Sequence, residues 1–555
     1  MVSRTNLYMF SLLLTLLGVI GFIINSKEFI HIPGLLLLSI LFMIIPGTLI
    51  ALNLDTEHLT KIQSFFLVII PLIFLNYIYY IIMKFPVGFS DVSSHILQCQ
   101  QSVNLNGVIQ FSERLSFNFV ALYIIFNFLM ATSNLSLITL ASLIPPIFNL
   151  ILTVTVYLIV NKLHSHKVAL IAMLFYGWEN QVILFGHEIR TQTLGILLLF
   201  IALFIEYSKF KKSTSTIILM IILSSSAMSS FVSIFFTSII FCVMFVISAL
   251  LYFASKWEQN AKRITYGIFQ LYFIICIFYL LYISKGFDNL IRCIINLYNQ
   301  MLVNTDASEF SKNQLVHSTG QTLYGQLVQN LTYLFWGLFL VFMVLYVVKM
   351  VKEKKSNNLK FFASFSALLF YTFFNVFAGS LSSGRIYIVG FIIMATTLAY
   401  GLVGLQVISK TTQFQYISKI FAITIISFFV VSSIVKLPNY IIGEPNPIRS
   451  KEPIDSIFYW YSDLPQYYVS EFISAYAPNK SLNIYTDFQN YFLMQRTMKN
   501  TVGQEKLSIL NEKFYKYQNI SLNQLPKYQM FEKFDKIYSN TDYIIFRGLL
   551  SGSPK

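Results

Sequence analysis

Charge is scarce in this chain, and the scarcity decides its class. Only 11% of the 555 residues are Asp, Glu, Lys or Arg, against 56% hydrophobic residues, a balance foreign to a water-soluble domain of this length. Acidic residues are the scarcer kind, 24 against 39 Lys and Arg. The resulting charge of +15 does not make a basic face for nucleic acid, because the cations sit in short loops between apolar runs, as membrane topology requires. No GxxxxGK[ST], HExxH, GxSxG or CxxC occurs, so nucleotide hydrolysis, zinc proteolysis and serine hydrolysis lack their usual carriers. Four cysteines are too few for a disulfide framework. Cys242 and Cys276 lie in apolar runs as packing residues, whereas Cys99 and Cys293 fall in loops expected on one side, where a disulfide between them is compatible with the sequence. There is no repeat of fixed period and no inverted symmetry. No small-residue cleavage site precedes the second apolar run, so the first is expected to be a retained helix.

What the chain does have is apolar runs near the ~20 residues that cross a bilayer. Spans are predicted at Leu7–Asn25, Ile32–Leu52, Ile62–Met83, Ile138–Val160, Val168–Phe185 and Thr191–Tyr207. A run twice that length, Ser215–Ala254, is interrupted by serines at Ser224–Ser230 and is predicted to be a helical hairpin. Further spans are predicted at Ile264–Ile283, Leu331–Val348, Phe361–Ala378, Arg385–Leu405 and Ile417–Val435. The fold class is therefore all-α polytopic membrane protein, about 13 spans.

Lys-rich loops at Tyr207–Ser213, Ser255–Arg263 and Lys349–Lys360 mark the cytoplasmic side. Alternation then places outside the membrane the loop holding Asp91, the turn Gly177–Arg190, the loop Ser284–Asn330 and the C-terminal tail. This works if Phe117–Met130 does not cross. It is short for a crossing, so an interfacial or re-entrant helix is expected, with a short tilted span as the alternative. Sequons at Asn134, Asn330, Asn479 and Asn519 fall on the same outer side but arise often by chance in a chain rich in Asn. The expected organisation is N-terminal helices at 1–83, a first long external loop at 84–137, the remaining membrane core at 138–437 and a soluble external domain at 438–555. The last follows a Pro-rich linker, Gly443–Pro453. Strands are predicted at Leu482–Asp487 and Thr541–Arg547 and helices at Leu464–Tyr476 and Lys506–Tyr517, a small α/β module.

The polar residues left for function lie on the predicted outer side. They are Asp91 with His95 one helical turn on, the group Glu179, His187, Glu188 and Arg190, and Arg385 at the start of a span. A carboxylate can take a proton from an attacking hydroxyl. Arginines at a membrane boundary can hold a phosphate and offset the charge it gains as it leaves. Together these are the parts for moving a group from a lipid-linked phosphate to a hydroxyl. Each residue also has a plainer reading: Asp91 as a helix N-cap, His95 as a helix-face contact, Glu188 and Arg190 as an interfacial stop, and Arg385 as a snorkelling cation.

The order of these features resembles the GT-C membrane glycosyltransferases. GFSDVSSH (Gly88–His95), the short helix FNFVALYIIFNFLM, two spans over Ile138–Phe185 and GHEIRTQTLGILLLFIALF (Gly186–Phe204) follow one another as an acidic first external loop, interfacial helices, two crossings and a second external turn do in that family. The likeness covers roughly Pro86–Ala202, with a looser echo at Arg385. It implies an inverting transferase at the external face of the plasma membrane. Asp91 would be the base, Arg385 and Arg190 would hold the donor phosphate, and His95, Glu179, His187 and Glu188 would orient donor or acceptor. It also implies as partners a polyprenyl-phosphate sugar donor, membrane lipid and a protein, lipid or glycan acceptor recognised by the tail, with no nucleic acid. The first loop carries a single Asp where many members carry a DE or DxD pair, so no cofactor is assigned, and a divalent metal stays open. Three other classes fit the composition: a transporter or flippase for a polyprenyl-linked glycan, which would favour ionisable residues at mid-membrane on broken helices, a polysaccharide polymerase or ligase, and a non-enzymatic scaffold.

Overall fold

A computed structural model of the protein describes residues 4–27, 33–52, 61–83, 95, 99, 120–187, 190–208, 212–255, 270, 272–279, 281, 295, 323–377, 383–408, 412–435, 482–486, 505–511, 535–539 and 543–547. The elements are α1 (Arg4–Lys27), α2 (Pro33–Leu52), α3 (Lys61–Met83), α4 (Ala121–Ser133), α5 (Leu137–Leu163), α6 (His166–Gly177), α7 (Asn180–His187), α8 (Thr191–Tyr207), α9 (Lys212–Ser229), α10 (Phe231–Ser255), α11 (Leu323–Lys352), α12 (Ser356–Phe377), α13 (Ser383–Ile408) and α14 (Thr412–Val435), followed by strands β1 (Leu482–Thr486), β2 (Glu505–Asn511), β3 (Asp535–Ser539) and β4 (Tyr543–Arg547).

Among the described residues, five helices are long and apolar enough to cross a membrane, with segments Thr139–Leu163, Ser233–Leu250, Tyr333–Lys352, Tyr387–Gln406 and Gln413–Ser433. Seven further apolar helical segments run to 10–17 residues, among them His166–Gly177 and Thr191–Tyr207. The expected count of about thirteen spans goes beyond those five. α6 is buried on all sides from Val168 to Gly177, as an apolar helix surrounded by others must be.

The expected hairpin is α9 and α10, parted at Ser230. Ser226 donates to the Gly195 carbonyl at 3.3 Å, and Ser233 to the carbonyls of Ser230 at 2.8 Å and Ser226 at 3.2 Å. A Cβ on Gly195 would run into the Ser233 side chain, so glycine and serine let α8 approach the hairpin closely. The short helix expected near Phe117–Met130 is α4, 13 residues long and closed by Asn134 in the left-handed conformation, which Asn tolerates. Its length of ~20 Å falls short of a ~30 Å hydrocarbon core.

Two expectations are corrected. The single span over Val168–Phe185 is two helices, α6 and α7, parted at Trp178 and Glu179. Backbone bonds bridge the break, Trp178 N–H to Leu174 O at 3.1 Å, Glu179 N–H to Tyr176 O at 3.3 Å and Ile183 N–H to Glu179 O at 3.0 Å, so the break leaves few backbone groups orphaned. The helix expected over Lys506–Tyr517 begins instead with strand β2. That strand pairs parallel with β1 and antiparallel with β4, giving the order β1-β2-β4-β3. As an inner strand it satisfies backbone groups on both edges, which a helix there would forfeit for its neighbours. The strands expected at Leu482–Asp487 and Thr541–Arg547 are β1 and β4. The expected helix Leu464–Tyr476 lies outside the described residues, as does Cys293, the proposed partner of Cys99.

Helix ends that the charge pattern assigns to one side meet in space. His164, between α5 and α6, shares a hydrogen bond with the Tyr346 hydroxyl of α11 at 2.9 Å, and Asn358 of α12 donates to the Leu163 carbonyl at 3.1 Å. His166 bonds Ser64 of α3 at 3.0 Å and Tyr157 of α5 at 2.7 Å, and Tyr207 of α8 packs edge-on against Phe361 of α12.

Candidate functional site

At the opposite end from this cluster, the residues that follow Asp91 are anchored to the helices that carry the second polar turn. His95 is 5% exposed, and its Nδ1 shares a hydrogen bond of 2.8 Å with the fully buried hydroxyl-bearing Tyr123 of α4. Burial pushes the Tyr123 phenol well above its usual range, so it stays protonated and able to hold the imidazole. One turn further, Cys99 is buried in a cluster with Leu122, Tyr123 and Phe126 of α4, Leu137, Leu140 and Ala141 of α5, and Leu194 of α8. Leu194 lies one turn beyond Arg190, the N-cap of α8, which is 5% exposed with an extended backbone (φ −135, ψ 135). The stretch after Asp91 and the start of α8 thus share one apolar cluster, although ninety-odd residues of chain separate them.

Glu179 is the second focus. It is 7% exposed, at the break between α6 and α7. Its carboxylate is close enough to act electrostatically on the Tyr387 hydroxyl of α13, the helix in which Arg385 stands two residues earlier. α7 and α13 are in contact, and the Tyr387 ring lies 6.4 Å from that of Trp336 on α11. Sequence placed Glu179 in an external turn; in the structure its side chain is buried among the packed helices. α6 rises only ~18 Å from the His164 end before the break, less than a full crossing.

Of the residues expected from sequence, His95, Glu179 and Arg190 are described with their side chains. His187 closes α7 and Arg385 stands in the first turn of α13, but their side chains, together with all of Asp91 and Glu188, lie outside the described residues. Among the described residues no three His, Cys, Asp or Glu side chains are grouped to hold a metal ion. Sequence reasoning missed Tyr123, Tyr387, Trp178 and a buried amide pair, Asn76 and Asn149. The one available signal was the pair of glycines, Gly177 and Gly186, that brackets Glu179.

No family model matches the chain, and no curated protein sequence matches it. Among solved structures it is similar to ArnT from Cupriavidus metallidurans bound to undecaprenyl phosphate, with 8% identity, 88% of this chain and 99% of that one covered, and a TM-score of 0.48. It is also similar to the oligosaccharyltransferase of Archaeoglobus fulgidus. In a complex with Zn and sulfate that likeness has 12% identity, covers 84% and 71% of the two chains and has a TM-score of 0.43. In the AglB complex with an inhibitory peptide and a dolichol-phosphate it has 13% identity, covers 93% and 75% and has a TM-score of 0.42. Likeness of this degree carries no residue roles.

Proposed function

We propose that the chain is a GT-C-type glycosyltransferase that moves a sugar from a polyprenyl-phosphate donor to a hydroxyl acceptor at the external membrane face. The observation that supports this most is the cluster of Cys99 with Leu194, which draws the stretch following Asp91 and the turn holding Arg190 to one end of the bundle. In the proposed step Asp91 takes the proton of the acceptor hydroxyl while its oxygen bonds to the anomeric carbon. The bond from that carbon to the phosphate oxygen breaks, its electron pair leaves with the phosphate, and the configuration inverts. Arg190 and Arg385 offset the charge gained by the phosphate. Glu179, Glu188 and His187 orient the reactants. His95, with Nδ1 engaged by Tyr123, fixes the Asp91 stretch, and the tail recognises the acceptor. No step is routed through a metal.

One feature favours a second reading. A buried carboxylate at a helix break is the arrangement expected of a transporter for a lipid-linked anion, and Glu179 has it. One experiment separates the two readings: purified wild type and Asp91→Asn are offered radiolabelled polyprenyl-phosphate sugars with membranes as acceptor, and in parallel are reconstituted into vesicles. Transfer by wild type, lost in a folded Asp91→Asn, supports the enzyme. Equal transfer by both proteins removes Asp91 from the chemistry, and labelled lipid crossing the vesicles without consumption favours transport.

A further inference from the structure

Gly177 and Gly186 bracket the broken segment; Gly177 presses on α3 and α5, and Gly186 on α5. A Cβ on Gly177 would come within 2.7 Å of Leu72 on α3 and 3.0 Å of Thr153 on α5. One on Gly186 would come within 2.7 Å of Asn149 Cβ on α5, and nearer still to that side chain's amide carbon and nitrogen. The receiving residues are tied into a ladder. Asn149 Nδ2 donates to Asn76 Oδ1 at 2.6 Å, Asn76 Nδ2 donates to the Leu72 carbonyl at 2.8 Å, and Thr153 Oγ1 donates to the Asn149 carbonyl at 2.9 Å. Both asparagines are buried among apolar residues, where an amide that swings away loses its bonds without water to replace them. Asn149 is therefore a fixed wall against which only glycine fits. Glu179 lies two residues past one glycine, and Arg190 four past the other.

We infer that the close seat of Gly186 on residue 149, a side chain that Asn76 holds in place, is a positioning device for the proposed transfer, an inference that rests on that reading of the site. By seating Gly186 it fixes α7 against α3 and α5, and so sets where Glu179 and Arg190 stand relative to the donor. Neither asparagine touches the reacting atoms. Both act through the segment they hold.

The test is a clash and its relief. Gly186→Ala pushes a methyl into Asn149, and Asn149→Ser removes the atoms it meets. In Gly186→Ala, kcat for labelled-sugar transfer falls about tenfold to a hundredfold, as for reacting groups displaced on the order of 1 Å, while the donor KM stays within about twofold. Gly186→Ala with Asn149→Ser recovers most of the loss. The second readout needs no substrate: with Trp257, Trp336 and Trp460 changed to Phe, the emission of Trp178, fully buried at the break, shifts in Gly186→Ala and returns in the double variant. Unchanged kcat or emission in Gly186→Ala overturns the inference, and so does a change that Asn149→Ser fails to relieve. If Gly186→Ala does not fold, a folded double variant with wild-type emission supports the seat, and an unfolded one overturns it. Wild type that transfers no sugar defeats the functional reading alone, since Trp178 emission still reports the seat.

Discussion

His95 and Tyr123 share a hydrogen bond of 2.8 Å across a separation of 28 residues, and both rings are buried. That bond ties the stretch following Asp91 to α4. Tyr123→Phe keeps the packing and leaves one buried imidazole nitrogen without its partner, at a cost of about 1–3 kcal/mol. The expected result is a lower Tm in detergent, faster hydrogen exchange in the peptide spanning 95–99, and reduced sugar transfer. Wild-type exchange in that peptide would show that the bond does not hold the segment.

Glu179→Gln keeps the shape and hydrogen-bonding capacity of the side chain and removes its charge beside Tyr387. Because the site is buried, a fixed charge acts there more strongly than in water. Transfer is expected to fall at least about tenfold, equivalent to ~1.4 kcal/mol of transition-state stabilisation, with Tm near that of wild type. Matched losses of Tm and activity would instead mark Glu179 as a structural residue.

The apolar runs made most helices legible, because burial in a helical bundle is a local demand on composition. The parting of α9 from α10 was legible too, since a block of serines interrupts the run at Ser224–Ser230. The break at Trp178 and Glu179 was not. Gly177, Glu179, Asn180 and Gln181 do interrupt the run, but whether such a group ends a span or parts two packed helices depends on how Gly177 and Gly186 fit Leu72, Thr153 and Asn149, partners distant in sequence. Strand β2 was misread for a related reason: Glu505–Asn511 is too short to separate a helical from an extended period, and its pairing with β1 and β4 decides the outcome. Glu179, His95 and Arg190 were visible as polar exceptions. Tyr123 and the two asparagines were not, since an aromatic or amide on an apolar helix reads as packing until its partner is known.

Burial separates two polar contacts at the other end of the bundle. Asn358 is 5% exposed and donates to the Leu163 carbonyl, one of the last of α5, and to His164 Nε2 at 3.2 Å. Asn358→Ala takes the donor from the Leu163 carbonyl, while His164 Nε2 keeps the Tyr346 hydroxyl, and is expected to cost about 1–3 kcal/mol. Glu353 pairs with Lys355 at 2.7 Å and Lys349 at 3.7 Å, but all three side chains are at least a third exposed. Glu353→Gln is expected to leave Tm unchanged within error, since such pairs gain little against solvent and salt. Paired thermal melts of the two variants check the contrast, and a larger loss in Glu353→Gln would reverse the ranking.

The same cluster gives the protein an acid-sensitive point. Asn358 donates to His164 Nε2, so that nitrogen must carry a lone pair and not a proton. Burial, with the Lys355 cation nearby, pushes the His164 pKa from its ordinary 6.5 down to about 3. Between those values the unfolded chain takes up a proton that the folded chain refuses, so stability falls as pH drops from about 6.5 toward about 3 and is flat above that window. His164→Gln offers an amide oxygen to Asn358 and cannot titrate. Melts from about pH 8 to about pH 4 should show wild type losing stability below about pH 6.5 more steeply than His164→Gln, with parallel behaviour above it. Parallel curves through the whole range would mean that His164 is protonated in the folded protein and that Asn358 has turned its amide oxygen toward the ring.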